Sequence, residues 1–482
     1  MLSFGMTMSG IQSFLFWQWP AATWWRHSLI SRLTGWLGKW GESSLLVRWL
    51  DPLCLLGVAL YYGLASQAST GPLGLVLLGL VALLGLRWLT QAPSITGIHL
   101  SLALVWLVAT VATVFSPVSY AALDGWIKLT LYLLGFMLLH EVLQKPQHRS
   151  WLVGVLLLIS LGMGAYGLRQ YFYGAAELAT WVDPESGLAG TTRVYSYLRN
   201  PNLYGGYLVP LIPLGLAAMW RWSSWGWKLV AGFTTAVNLA CLLLTYSRGA
   251  WIGGLVSIAV MGLMLAQWML IYLPVRWRRW TMPALMGGGI LVLAVGILTL
   301  EPLRLRVLSM FQGRGDTSNN FRINVWMAVL DMIQDFPLLG IGPGNVAFNR
   351  VYPLYQRGNF SALGAYSVPL ELAVEMGFVG LIAFAWFILA LGAQAWQRWR
   401  AALQVRDPEV LWLAGGLAAC AGVMAHGLVD TVWYRPQIQM VWWFVVALIT
   451  SQLGIPGEQS LAAGDPGDQH NAPESELLPE GS

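Results

Sequence analysis

Residues 72–86 read Pro72-Leu-Gly-Leu-Val-Leu-Leu-Gly-Leu-Val-Ala-Leu-Leu-Gly-Leu86, and Arg87 is the first charge after them. Apolar side chains occupy every register of a 3.6-residue period, so no polar face is left for water. A segment this long and apolar all round predicts a membrane span. In hydrocarbon every backbone N–H and C=O must be satisfied within the segment, and a helix does that. The same pattern recurs at 50–66, 97–116, 125–143, 151–170, 203–220, 227–245, 250–273, 283–300, 369–396, 411–429 and 437–454. The expected fold is an all-α polytopic membrane protein of about twelve transmembrane helices with a large extracytoplasmic loop.

Composition agrees. Hydrophobic residues make up 57% of the 482-residue chain and charged residues 10%, against about 25% charged in a soluble domain. Glycine (53) and tryptophan (28) are abundant, as suits close helix contacts and headgroup boundaries. A soluble protein with a large core is excluded, because its helices need polar faces. Cys54, Cys241 and Cys420 lie far apart inside apolar runs. They read as packing residues, neither a disulfide nor a metal site.

The charges set a topology. Arg26, Arg32, Lys39 and Arg48 precede the first span. Arg87, then Lys145 and Arg149, Arg221 and Lys228, Arg276, Arg278 and Arg279, and finally Arg398, Arg400 and Arg406 fall at alternate junctions. Lys and Arg concentrate on the cytoplasmic side, so both termini are expected in the cytoplasm. The basic pI near 9.1 therefore points to membrane orientation and not to nucleic acid. Residues 1–49 are expected as a cytoplasmic interfacial segment rich in Trp and basic residues, and 50–454 as the membrane domain. Residues 455–482 hold six acids and no Lys or Arg, and are expected as a disordered acidic tail.

Two outer loops, 171–202 and 301–368, are long enough to need a function. With the adjoining turns they carry Arg193, Arg199, Arg248, Arg304, Arg306, Arg314, Arg322, Arg350, Arg357 and Arg435; lysine is nearly absent there, Lys128 aside. The planar guanidinium suits oxyanions such as phosphate, carboxylate or bicarbonate. The plainer alternative is solvated or snorkelling arginine. Arg248 stands out, because the turn Thr245-Tyr246-Ser247-Arg248-Gly249 between two apolar runs has little loop to carry a charge into water.

Other residues admit two readings. His426 and Asp430 are four apart and share a helix face, as a proton relay or as a packing pair. Asn200-Pro201-Asn202 caps a helix start, though it lies on the arginine face. Phe321, Val325, Ala328 and Val329 make one apolar face of an outer amphipathic helix that ends at Asp335-Phe336-Pro337. Gly340-Ile341-Gly342-Pro343-Gly344-Asn345 reads as a tight turn and not as a dinucleotide fingerprint, since Pro343 and the missing strand break that pattern. Glu371 and Glu375 are helix-start charges favoured by the dipole or acids near the arginines. No Walker, His-Glu-x-x-His or Cys/His pattern is present, so no ATP, haem, flavin or metal cofactor is expected.

Taken in order, Asn200-Pro201-Asn202, Thr245 to Gly249, Arg322 with Trp326, Gly340-x-Gly342-x-Gly344-Asn345 and Glu375-x-Gly377 resemble the O-antigen ligase and polymerase superfamily over about residues 190–395. Longer phrases are similar to one subgroup, the cyanobacterial inorganic carbon transporter B family. These are Glu177 to Asp183, Arg193 to Tyr197, Ile341 to Asn345 with Val351 to Tyr355, Ala365 to Glu371, and His426-Gly-Leu-Val-Asp-Thr-Val-Trp-Tyr-Arg-Pro436.

The subgroup implies a bicarbonate or other inorganic-carbon role in a bacterial inner (plasma) membrane. The superfamily implies instead an enzyme that moves a glycan from a polyprenyl diphosphate, its arginines holding the diphosphate; Arg248 and Arg322 match those positions. The ligases carry a His-Asn pair about nine residues before Glu-x-Gly, where this chain has Tyr366-Ser367. A tyrosine is a poor base at neutral pH, so glycosyl transfer loses its expected base while an anion site stands. The expected anion ligands are Arg248, Arg322, Arg193 and Asn202. The candidate proton-handling residues are His426, Asp430 and Tyr366. Bicarbonate is the first partner expected, a polyprenyl-linked glycan the second, and a non-catalytic accessory role the third reading.

Overall fold

The computed structural model describes residues 44–67, 70–176, 192–299, 301–309, 313–432 and 435–454. The expected acidic tail, most of the interfacial N-terminal segment and the phrase Glu177 to Asp183 lie outside them.

The apolar runs form helices α1 (Leu50–Ala65), α2 (Thr70–Thr90), α3 (Gly97–Val114), α4 (Ser119–Val142), α5 (Pro146–Tyr173), α6 (Pro201–Arg221), α7 (Trp225–Leu244), α8 (Arg248–Leu270) and α9 (Val275–Thr299). The long outer segment contributes α10 (Glu301–Ser309), α11 (Thr317–Asp335) and α12 (Asn345–Val351), and α13 (Val368–Val405), α14 (Val410–Gly427) and α15 (Pro436–Thr450) complete the chain. Strands are absent among the described residues. All twelve expected spans coincide with helices, and among the described residues nine of these are long and apolar enough to cross a membrane. The other three are shorter in their apolar part: Leu50–Ala65, Pro436–Thr450 and, within α9, Gly287–Gly296. The first half of α9 carries Arg276, Arg278, Arg279 and Pro283, which shortens its apolar stretch.

Among the nine long spans α6 and α14 are the most enclosed, and α14 packs on both α6 and α8. Glycine allows the approach. A Cβ on Gly422 of α14 would meet the Gly253 carbonyl oxygen of α8 at 2.7 Å, so van der Waals contact here runs backbone to backbone. Asn200 caps α6, accepting from the N–H groups of Asn202 (2.8 Å) and Leu203 (3.3 Å), with Pro201 at the first helical position.

The two ends of the bundle differ. At one, Asp51 pairs with Arg87 and Lys145, Glu409 with Arg149 and Arg221, and Asp407 with Arg398. These ties join the starts of α1, α5 and α14 to the ends of α2, α6 and α13. At the other end α11, α12 and the glycine turn form a cap with its own smaller core, in which Val325, Val329 and Met332 meet Phe348 and Val374.

α13 is broken where it meets this cap. Gly377 has φ 64° and ψ −172°, a conformation that strongly favours glycine. The groups freed by the break find partners in the glycine turn: Ile341 N–H donates to Val374 O (2.8 Å), Gly342 N–H to Glu375 O (2.9 Å) and Phe378 N–H to Pro337 O (2.8 Å). Irregular backbone at membrane depth is tolerated only when it is satisfied in this way.

Candidate functional site

The arginine end is built on the first residue of α8 and the start of α11. Arg248 is buried, 8% exposed, and its Nη2 donates to Asp316 Oδ1 at 2.8 Å. Asp316 also caps α11, accepting from the Asn319 N–H at 2.9 Å. One turn on, Arg322 donates from Nε to Val429 O (3.0 Å), from Nη1 to Ser318 Oγ (2.5 Å) and from Nη2 to Asp430 Oδ2 (3.4 Å). Arg193 donates to Thr245 O (2.9 Å) and to Asn202 Oδ1 (3.2 Å). The four residues expected as anion ligands are thus gathered at one end of the bundle. They are not bare cations: Arg248 and Arg322 each hold a carboxylate, and leaving a buried member of such a pair alone is costly.

His426 and Asp430 do not form a hydrogen-bonded relay. Asp430 turns to Arg322, while both ring nitrogens of the fully buried His426 lack a hydrogen-bond partner among the described residues. Its ring fills a slot between α6 and α8. A Cβ on Gly249 would meet its Cδ2 at 2.8 Å, and one on Gly206 its Cε1 at 3.2 Å. Tyr366, at φ 51°, packs edge-on against Phe321 at 5.3 Å between ring centroids, beside Arg322 in sequence.

Next to the arginines, in the same half of the bundle, lies a cavity of about 150 Å³ between α3, α4, the broken start of α13 and α15. Leu102, Val105, Leu129, Leu133 and Met376 make its apolar wall; Glu371, Glu375, Thr431, Gln439 and Lys128 supply polar groups. Glu371 Oε2 accepts from Ala365 N–H (2.6 Å) and Thr431 Oγ (3.1 Å). Glu375 Oε1 accepts from Gly344 N–H (2.8 Å). Lys128 is tied to Asp124 at 2.7 Å. The peptide unit Asp430-Thr431 joins the two regions, with Arg322 on one residue and Glu371 on the next.

The sequence offered the two glutamates as helix-start charges or as acids near the arginines, without placing them in a cavity, and gave no notice of Thr431 or Gln439. Glu-x-x-x-Glu opening an apolar run was the available signal; Gln439 had none. Arg199, Arg304 and Arg350 are exposed, while Arg357 pairs with Asp331 (2.6 Å) and Arg314 with Asn320 (3.1 Å). Close by, Asp335 accepts from the Tyr355 hydroxyl at 2.6 Å and pushes that phenol up to about 12. Among the described residues no group of three or more His, Cys, Asp or Glu could hold a metal ion.

Residues 233–385 match the family model described as O-antigen ligase. A search of curated proteins gave no match. The matched segment runs from α7 into α13. It takes in Arg248, Arg322, Tyr366 and both glutamates, and leaves Arg193, Asn202, His426, Asp430 and Gln439 outside. The chain is an all-α polytopic membrane protein with an O-antigen ligase-like region.

Proposed function

We propose that the protein binds a polyprenyl-diphosphate-linked glycan and transfers the glycan to an acceptor hydroxyl. The diphosphate takes the arginine cluster, where its higher charge exchanges for the carboxylates of Asp316 and Asp430. The lipid chain follows the apolar surface of the bundle. The observation that carries this reading is the Asp430-Thr431 unit, which couples Arg322 to the carboxylate-lined cavity through a hydrogen bond from Thr431 to Glu371. An anion-recognition element and a proton acceptor thereby sit side by side.

In the reaction the acceptor oxygen attacks the anomeric carbon as the bond to the diphosphate oxygen breaks. Arg248 and Arg322 take the charge growing on the departing polyprenyl diphosphate. Glu371 takes the acceptor proton in place of a base at Tyr366.

Bicarbonate, the smaller anion implied by the carbon-transport resemblance, suits the same arginines less completely. Any passage through the cavity would take it past Glu371 and Glu375 with Lys128 already tied to Asp124, so it would shed its water with no unpaired cation among the described lining residues to replace it. A lipid-borne diphosphate stays at the boundary and meets no such barrier. By the same reading the arginine end faces outward, the Asp51–Glu409 end faces the cytoplasm by its excess of basic junctions, and the home is a bacterial plasma membrane.

Incubation of the purified protein with a polyprenyl-diphosphate-linked oligosaccharide and an acceptor glycan should release free polyprenyl diphosphate. Glu371→Gln should slow release by about a hundredfold or more, the usual worth of a general base. No release from folded protein, together with saturable bicarbonate uptake into liposomes that Arg248→Ala abolishes, would replace this reading with transport.

A further inference from the structure

We infer that the cavity between α4, α13 and α15 is a subsite for one sugar ring of the acceptor, recognised through its hydroxyl groups; this rests on the glycan-transfer reading above. The wall is rich in hydrogen-bond acceptors. Glu371 and Glu375 each use one oxygen on a backbone N–H, from Ala365 and Gly344. Those bonds fix the carboxylates on the broken start of α13 and leave each a second oxygen without a hydrogen bond among the described residues. From the opposite side Gln439 of α15 lines the same cavity. It is 8% exposed, and its Oε1 has no partner among the described residues. A buried acceptor left orphaned is costly, and the second oxygens of the two carboxyl groups bring the number of groups in need of partners to three.

Size and shape narrow the occupant. About 150 Å³ is the space a six-membered ring fills. A bare cation would leave most of it empty, and no set of three metal-ligating side chains is present among the described residues. An anion finds no unpaired cation among the described lining residues, since Lys128 is tied to Asp124. A lipid tail has nothing to offer three acceptors. A pyranose meets each requirement: its hydroxyls exchange hydrogen bonds with Glu371, Glu375 and Gln439, and its C–H faces meet the aromatic rings of Tyr132 and Trp443, which also line the cavity. Thr431 lines the subsite, so a ring held here presents a hydroxyl next to Glu371 and within one residue of the Arg322–Asp430 pair.

Binding of methyl hexosides and methyl N-acetylhexosaminides to the full chain in lipid nanodiscs tests the assignment, read by ligand-detected saturation-transfer NMR and by quenching of tryptophan fluorescence. Saturable millimolar binding is expected. Gln439→Leu and, independently, Glu375→Gln should each weaken it about tenfold, as for one lost hydrogen bond to a buried acceptor. Arg248→Gln should leave sugar binding unchanged while weakening retention of polyprenyl diphosphate. Sugar binding without diphosphate retention would keep the subsite and remove the transfer reading. No sugar binding by folded protein, binding equal in both cavity variants, or a sodium-induced fluorescence change that those variants abolish while sugars have no effect would overturn the subsite.

Discussion

Arg322 of α11 and Asp430 beyond the end of α14 face each other across the arginine end, Nη2 to Oδ2 at 3.4 Å, although 108 positions separate them in sequence. Their side chains are 17% and 9% exposed, so the pair is largely shielded and its partners depend on each other. Arg322→Ala strands the Asp430 carboxylate and should cost about 3 kcal/mol of stability. Adding Asp430→Asn removes the stranded charge and should restore most of that loss in detergent thermal unfolding. Polyprenyl diphosphate binding should stay lost in both variants. Equal stability of the single and double variants would show that the pair is not coupled.

The break in α13 depends on one residue. Gly377→Ala puts a side chain at φ 64° and a Cβ against the Leu338 carbonyl. Strain of this kind costs about 1–3 kcal/mol, and the clash adds to it. The docked glycine turn should loosen, seen as faster hydrogen exchange at the Ile341 and Gly342 amides. Unchanged protection there would mean that the turn is held by other contacts.

His426 fills space between α6 and α8, and both its ring nitrogens lack a partner among the described residues. His426→Leu, similar in volume and without polar atoms, should be at least as stable as the parent, since removing unsatisfied buried groups is neutral or favourable. Glycan release should persist. Loss of release with the fold intact would return His426 to the role of proton carrier.

Tyr355 provides a spectroscopic check on the cap. Its hydroxyl donates to Asp335, and the bond holds the phenol up at about 12, above the usual value near 10. The folded state therefore keeps this proton longer than the unfolded chain. The contribution to stability is fully present below about pH 10 and is lost as pH rises through the folded value. Asp335→Asn should bring the phenol down towards the ordinary range in a tyrosinate absorbance titration; an unchanged titration would place the cause elsewhere.

The helices were readable from sequence because hydrocarbon leaves the backbone only one economical arrangement, and a run such as 72–86 allows no other. The Asn200-Pro201 cap was readable for a similar reason, since its hydrogen bonds are local. The pairing of Arg248 with Asp316 was not, because the acid lies 68 positions away in a loop whose path sequence does not specify. Glu-Met-Gly at 375–377 looks like uninterrupted helix with a tolerated glycine; only the docked turn shows that the glycine has positive φ. Gln439, one polar residue near a helix start, becomes a site candidate only when α13 brings Glu371 and Glu375 opposite it.

Retention of polyprenyl diphosphate by the purified protein, followed by native mass spectrometry in the presence and absence of bicarbonate, tests the role of the arginine cluster most directly. Saturable binding that millimolar bicarbonate does not displace, and that weakens about a hundredfold or more in Arg248→Gln/Arg322→Gln as two charge-assisted contacts are lost, is the predicted result. Folded protein that retains no polyprenyl diphosphate, or retains it equally in the double variant, would contradict it.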